Sequence, residues 1–298
     1  MRPWLLHGTL PGIGQVALSA WFTWLLIAFV VATFVALREA RRSGDDPRAV
    51  LRLCAVVLLA GLAGGRLGHV FTTEQGNYLA DPLKLLRFWE GGMVLYGGLI
   101  GAFTAGWWMC RRDGHGLART GDVFAPAVAV GIALGRLGCL SAGCCYGRPI
   151  DWPWGHELPW GLVFLSGQVP SALRGIPLHP TQVYASGLAL LLFGLLLAVR
   201  RRQQFDGQVL ALFLIGYGAT RPFVELFRLD LERGFLLPDL LGPMLSTSQA
   251  ISIPILVSGV VTWRWARRRA ERDGVLGLDP RAAADTRVRR RIETALPG

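Results

Sequence analysis

Charged residues are scarce in this chain. Only 17% of its 298 residues are Asp, Glu, Lys or Arg, against 52% hydrophobic, and a soluble domain of this length carries more charge and shorter apolar runs. No CxxC pair occurs among the five cysteines, Cys54, Cys110, Cys139, Cys144 and Cys145, so neither a zinc ribbon nor a thioredoxin-like dithiol is indicated. A cleavable signal peptide is not expected. Arg2 alone precedes the first apolar run, that run is too long for a signal core, and no small-x-small site follows it. The start therefore reads as a retained first span. No internal repeat stands out, and no low-complexity segment apart from an arginine-rich tail.

What the chain does have is a series of long apolar runs. About 20 such residues cross a hydrocarbon core, and seven candidates lie at roughly 15–37, 50–71, 92–110, 122–142, 181–199, 208–227 and 249–265. The expected fold is an all-α, polytopic membrane helix bundle of about seven transmembrane helices. Twenty-one of the 31 basic residues fall in one set of loops and the tail, seven in the opposite set, and Arg66, Arg136 and Arg221 inside spans. The positive-inside rule then predicts an outside N-terminus and a cytoplasmic C-terminus. It also gives the net charge of +11 a partner in anionic lipid, and no nucleic acid is needed. Residues 1–265 are expected to form the membrane domain and 266–298 a basic cytoplasmic tail. The outward connection at about 143–178, with Trp152, Trp154 and Trp160, is expected to form an interfacial cap at headgroup level.

An arginine inside a span costs about 2.5–3.5 kcal/mol on insertion scales, so each needs a partner or a function. At 1.5 Å per residue, Arg136 lies about 21 Å from Asp122, Arg221 about 20 Å from Gln208 and Arg66 about 24 Å from Val50. All three fall in the outer half of the membrane. A phosphate of the outer leaflet suits them, because guanidinium forks bind its oxygens bidentately. Arg221, Glu225 and Arg228 share the spacing of one helical stripe. Glu225 can neutralise one arginine while the other keeps its charge for an anion. Pro222, with Gly216 and Gly218 before it, predicts local unwinding of the sixth span. The competing reading is a buried ion-pair network that ties helices together.

The motifs then resemble those of the prolipoprotein diacylglyceryl transferases. Gly135-Arg136-Leu137-Gly138-Cys139-Leu140-Ser141-Ala142-Gly143-Cys144-Cys145-Tyr146-Gly147 is similar to the family's Gly-Arg-x-Gly-Asn-Phe-x-Asn-x-Glu-x-x-Gly signature. Gly91-Gly92-Met93-Val94-Leu95-Tyr96-Gly97-Gly98, Gly64-Gly65-Arg66, the stretch from His179 to Tyr184 (His-Pro-Thr-Gln-Val-Tyr) and Arg221-x-x-x-Glu225-x-x-Arg228 resemble further family elements in the family's order. The resemblance covers about residues 10–265. Cys139 and Ala142 stand at the signature asparagines, Cys144 at its glutamate, Trp21 at a first-span tyrosine and Ala185 at a glutamate after His-Pro-Thr-Gln.

That resemblance implies transfer of a diacylglyceryl group from phosphatidylglycerol to a cysteine thiol in prolipoprotein signal peptides, on the outer side of the bacterial inner membrane. It implies no metal and no cofactor. By it, Arg136 and Arg221 hold the phosphate, Arg228 and Glu225 support them or position the peptide, and Tyr96 and His179 are candidate bases. Arg66, Gly97, Gly98 and Gly147 join the lipid site, the glycines by letting main-chain amides approach a headgroup. The base stays open. A phenol is a poor base without cationic neighbours, an imidazole titrates in the useful range, His69 lies near the same face, and a thiol in a positive field needs no base. Cys139, Cys144 and Cys145 face the oxidising side. A structural bridge from Cys139 to one of the adjacent pair leads, with a metal site including His179 and a reactive thiol as alternatives. Three other functional classes compete with the transferase: a membrane thiol oxidoreductase, a lipid-binding or transport protein, and a paralogue acting on another acceptor.

Overall fold

The computed structural model describes residues 4–10, 14–72, 94–151, 159–229 and 246–277. Within them lie seven α-helices: α1 (Ala20–Ser43), α2 (Pro47–Thr72), α3 (Leu95–Arg112), α4 (Leu117–Ala142), α5 (Thr181–Arg200), α6 (Gln208–Glu225) and α7 (Thr247–Arg272). Two antiparallel strand pairs accompany them, β1 (Trp4–Leu10) with β2 (Gly14–Ser19) and β3 (Leu162–Val163) with β4 (Pro177–Leu178). Helices α1, α2, α4 and α5 are long and apolar enough to cross a membrane.

Each apolar segment read from the sequence overlaps one helix, with shifted ends. Residues 15–19 belong to β2, and α1 starts at Ala20; hydropathy alone does not separate a short apolar strand from a helix end. Helix α7 runs through Arg272, so the first residues of the expected tail are helical. Ala266 and Ala270 are buried there with Phe205 and Val275, which gives the extension a reason to stay wound. Its start is set by a capping box, Ser246 Oγ accepting from Gln249 N–H at 3.2 Å while Gln249 Oε1 accepts from Ser246 N–H at 3.1 Å. Trp152, Trp154 and the tail beyond residue 277 lie outside the described residues.

Large apolar side chains lie on the outer surface, and several polar and charged ones share the interior with the apolar core. Phe34, Leu59, Phe103 and Leu191 face outward, while Asp122, His179, Gln182 and Glu225 are buried. An apolar outer surface with polar groups kept to the interior is compatible with a bilayer.

The chain divides into two compact units. In the unit Leu37–Thr120, α2 and α3 meet backbone to backbone. A Cβ on Gly64 would overlap the Gly97 carbonyl, one on Gly97 the Gly64 carbonyl, and one on Gly101 the Ala60 carbonyl. Arg52 Nη2 meets Asp113 Oδ2 at 2.6 Å, and Arg119 Nε meets Asp45 Oδ1 at 2.8 Å, tying the loops at one end.

In the unit formed by Met1–Ala36 and Gly121–Gly298, Ala125 and Ala129 of α4 pack against Leu192 and Leu196 of α5 and Val209 of α6. Gly138 lets α4 approach Trp21 and Trp24 of α1, and Gly218 lets α6 approach Leu256 of α7, the small-residue contacts that replace hydrophobic driving force in lipid. Asp122 fastens the far end. Its carboxylate accepts from Gly207 N–H at 2.6 Å, Leu210 N–H at 2.8 Å and Gln203 Nε2 at 2.6 Å, placing an anion on the N-terminus of α6.

Candidate functional site

Helices α4, α5 and α6 line a small, partly open cleft. Ile132, Leu188, Leu192 and Phe213 make much of its wall apolar, and Arg136 and Arg221 bring two guanidinium groups to it. The two arginines placed at equal depth by residue counting therefore share one cavity. Arg221 Nη2 pairs with Glu225 Oε2 at 3.4 Å, and the same oxygen pairs with Arg228 Nη1 at 3.4 Å. Arg221 Nη1 and Glu225 Oε1 are buried without a hydrogen-bond partner among the described residues. One carboxylate thus serves two cations, and a donor of Arg221 is left over for an anion.

Two details of this cluster differ from the sequence expectation. Helix α6 stays wound through Gly216, Gly218 and Pro222 and ends at Glu225, because Gly216 and Gly218 are occupied by close contacts to Leu192 and Leu256. Arg228 is therefore not on a helical stripe. It lies beyond the helix end, bridged to Gly147 in a short antiparallel contact, and reaches Glu225 across the turn.

Gly147 holds that crossing together. A Cβ there would overlap the His179 carbonyl oxygen and crowd the Phe227 carbonyl, so only glycine lets the chain pass between them. Arg148 N–H donates to Phe227 O at 2.8 Å, and His179 N–H donates to Arg148 O at 2.9 Å. Gly147 thus serves as a backbone crossing point. His179 is buried, with Nδ1 3.1 Å from the Tyr184 hydroxyl, which accepts from Trp160 Nε1 at 2.7 Å. His179 is not among the residues lining the cleft.

The end of α4 shapes the cysteines. Gly143 at φ 71° closes the helix, with Gly143 N–H to Leu140 O at 3.2 Å and Cys144 N–H to Cys139 O at 3.1 Å. This is the paired bonding of a Schellman cap, whose geometry sets the residue two past the cap against the one four positions before the glycine. Here those residues are Cys144 and Cys139. Cys145, the one non-glycine residue at positive φ (58°) among the described residues, brings in a third sulfur. Thr181 Oγ1 donates to Cys145 O, and Gln182 Nε2 donates to Cys144 O at 2.7 Å. The three Sγ atoms lie within 4.8 Å of one another. Arg136 Nη1 donates to Cys145 Sγ at 3.8 Å.

Hydrogen bonds from Cys139 and Cys144 push the Cys145 thiol down, with the Arg228 and Arg136 charges assisting against desolvation. Cys144 moves up, its proton held by hydrogen bonds to Cys139 and Cys145. All five cysteines are among the described residues, and no disulfide joins them. The expected bridge from Cys139 is replaced by a cluster of three thiols, and His179 is not part of that group.

The other expected site residues belong to the unit Leu37–Thr120. Arg66 is buried in α2, and Tyr96 is exposed in the first turn of α3. Gly97 lies in the α2–α3 seam against Gly64, and Gly98 lies beside the Gly61 carbonyl, so both serve helix contact. Sequence reasoning gave Thr181, Gln182 and Tyr184 no role of their own, and left Cys145 without its partners. The available signal was Gly143 itself, since a C-terminal glycine predicts which cysteines a Schellman cap brings together.

The model of the prolipoprotein diacylglyceryl transferase family matches residues 10–265. A phosphatidylglycerol–prolipoprotein diacylglyceryl transferase of Paracidovorax citrulli is 34% identical over 273 residues, covering 87% of this chain and 95% of the relative. Those of Geobacter sulfurreducens and an Azoarcus species are 37% identical over 241 residues and 35% over 260, covering 79% and 85% of this chain and 85% and 92% of theirs.

Proposed function

The chain belongs to the prolipoprotein diacylglyceryl transferase family, and on that premise we propose how its geometry performs the family's reaction. It transfers the diacylglyceryl group of phosphatidylglycerol to the cysteine thiol of prolipoproteins and releases glycerol phosphate. The observation that carries the site assignment is the cleft in which Arg136 and Arg221 meet an apolar wall, a charge and lining suited to a phosphate with an apolar tail beside it.

In the reaction a sulfur–carbon bond forms as the bond from the glyceryl carbon to the phosphate oxygen breaks. The electron pair departs on glycerol phosphate, and the thiol loses its proton. Arg136 and Arg221 stabilise the charge that gathers on the leaving phosphate, and fixed donors in a water-poor cleft do this with little reorganisation. Glu225 and Arg228 keep Arg221 oriented through the shared carboxylate oxygen. Gly147 lets the segment carrying Arg228 approach. Arg66 and Tyr96 are assigned to the same reaction by motif position, with Gly97 and Gly98 shaping the helix pair that carries them.

The signal peptide of the prolipoprotein supplies the thiol, and the site faces the outer side of the bacterial inner membrane. Seven spans with an outside N-terminus and a cytoplasmic C-terminus account for the arginine distribution. They also put Arg136 and Arg221 in the outer leaflet, beneath a cap formed at about 143–178.

Arginine-to-lysine substitution separates a phosphate clamp from a scaffold. Arg136→Lys and Arg221→Lys keep charge but lose the bidentate fork. Each is expected to cut diacylglyceryl transfer to a cysteine-containing signal peptide by on the order of a hundredfold per folded molecule, with thermal stability largely kept. Well-folded lysine variants with unchanged turnover would remove the clamp.

A further inference from the structure

Three thiols converge where α4 ends, and the family reaction uses none of them. Cys139 and Cys144 are set together by the Schellman cap at Gly143, and Cys145 joins them through a left-handed backbone conformation. That conformation is costly for a residue with a side chain, and Thr181 and Gln182 of α5 hold it through the carbonyls of Cys145 and Cys144. A disulfide would use two of the sulfurs and strand the third. Mutual approach of all three within 4.8 Å is instead the arrangement of a shared ligand.

From this geometry we propose that Cys139, Cys144 and Cys145 form a three-thiolate site for one thiophilic divalent cation, with Zn2+ as the reference ion. Zinc–sulfur bonds of about 2.3 Å put tetrahedrally arranged sulfurs about 3.8 Å apart, within reach of side-chain rotation from the present separation. Among the described residues no fourth His, Cys, Asp or Glu joins the cluster, so the fourth position is left to water or an outside donor. Binding forms three sulfur–zinc bonds and releases the three thiol protons to solvent. Three thiolates and Zn2+ leave one net negative charge. Arg136, with Nη1 3.8 Å from Cys145 Sγ, complements it. The zinc centre would thus anchor an arginine of the phosphate cleft from behind.

The test uses the full chain, purified in detergent with reductant and stripped of metal by chelation. Zn2+ is titrated and counted by mass spectrometry, and Cd2+ is titrated as a spectroscopic stand-in. The wild type is expected to take up one equivalent, with the ultraviolet sulfur-to-cadmium charge-transfer band. Cys139→Ala, Cys144→Ala and Cys145→Ala are each expected to weaken binding by on the order of tenfold or more. A Cys54→Ala/Cys110→Ala variant should bind as the wild type does. Absence of stoichiometric binding and of the band in the wild type would overturn the proposal, whatever the variants do. So would unchanged binding in the triple alanine variant, or a reductant-resistant disulfide between two of the three cysteines. These readouts are independent of transfer, so the fate of the metal site and that of the transferase mechanism can be told apart.

Discussion

A single carboxylate oxygen, Glu225 Oε2, stands 3.4 Å from both Arg221 Nη2 and Arg228 Nη1, with side-chain exposures of 14% and 8% for the arginines and 1% for the glutamate. At that burial, removing one partner leaves charge without compensation, which costs about 3–5 kcal/mol. Glu225→Gln is therefore expected to destabilise the folded protein by about 3 kcal/mol, read as a fall in its unfolding midpoint in detergent. Arg267 and Glu271 form an exposed pair with side-chain exposures of 56% and 46%, and Arg267→Ala should stay within about 0.5 kcal/mol of wild type. Equal effects at the two places would mean that the inner pair is as well solvated as the outer one. The i, i+4 relation of Arg221 and Glu225 was legible in the sequence because helical spacing is local. The route by which Arg228 reaches Glu225 was not. It depends on where α6 ends and on a crossing strand that needs Gly147.

Among the elements, α2 and α3 make the most direct test of what the glycines do. Gly64, Gly97 and Gly101 place two helix backbones in contact, and the close approach supplies dispersion and weak hydrogen bonding where lipid removes hydrophobic drive. Gly97→Ala puts a methyl group into the Gly64 carbonyl and is expected to cost about 1–3 kcal/mol. Gly61→Ala would meet Ala102 Cβ and the Gly98 carbonyl at 3.6 Å, an ordinary contact, and should be tolerated. A stability scan of the two variants decides it. If Gly97→Ala left stability untouched but weakened phospholipid binding, Gly97 would return to the headgroup role. The end of α4 teaches a complementary lesson. Its three cysteines looked like candidates for a bridge because sequence spacing was read without the cap, although Gly143 carried the information that pairs Cys139 with Cys144.

On the scale of the whole molecule, the distribution of arginines makes a claim about sidedness that reporters can check. Fusions after Gly298 and within residues 150–175 are expected to report opposite sides of the membrane. Signals from the same side would sink the orientation and the outer-leaflet argument with it. The long apolar helices and the seven helical segments could be read from the chain alone. Apolar run length, charge asymmetry and rise per residue are local or additive properties. The position of β2 was misread, since a short apolar strand and a helix end share one hydropathy. What local rules could not supply was which side chains meet. Tertiary packing seated Arg136 and Arg221 in one apolar cleft, gave Arg221 and Arg228 a single carboxylate oxygen, buried His179 beside Tyr184, and gathered three sulfurs at the end of α4. Apart from the Arg221–Glu225 pair within α6, those contacts join residues from different elements or across a turn, and Gly147 lets the segment carrying Arg228 approach. The sequence determined the kinds of group available and their positions along each helix; the fold decided their partners, because partnership depends on how helices pack.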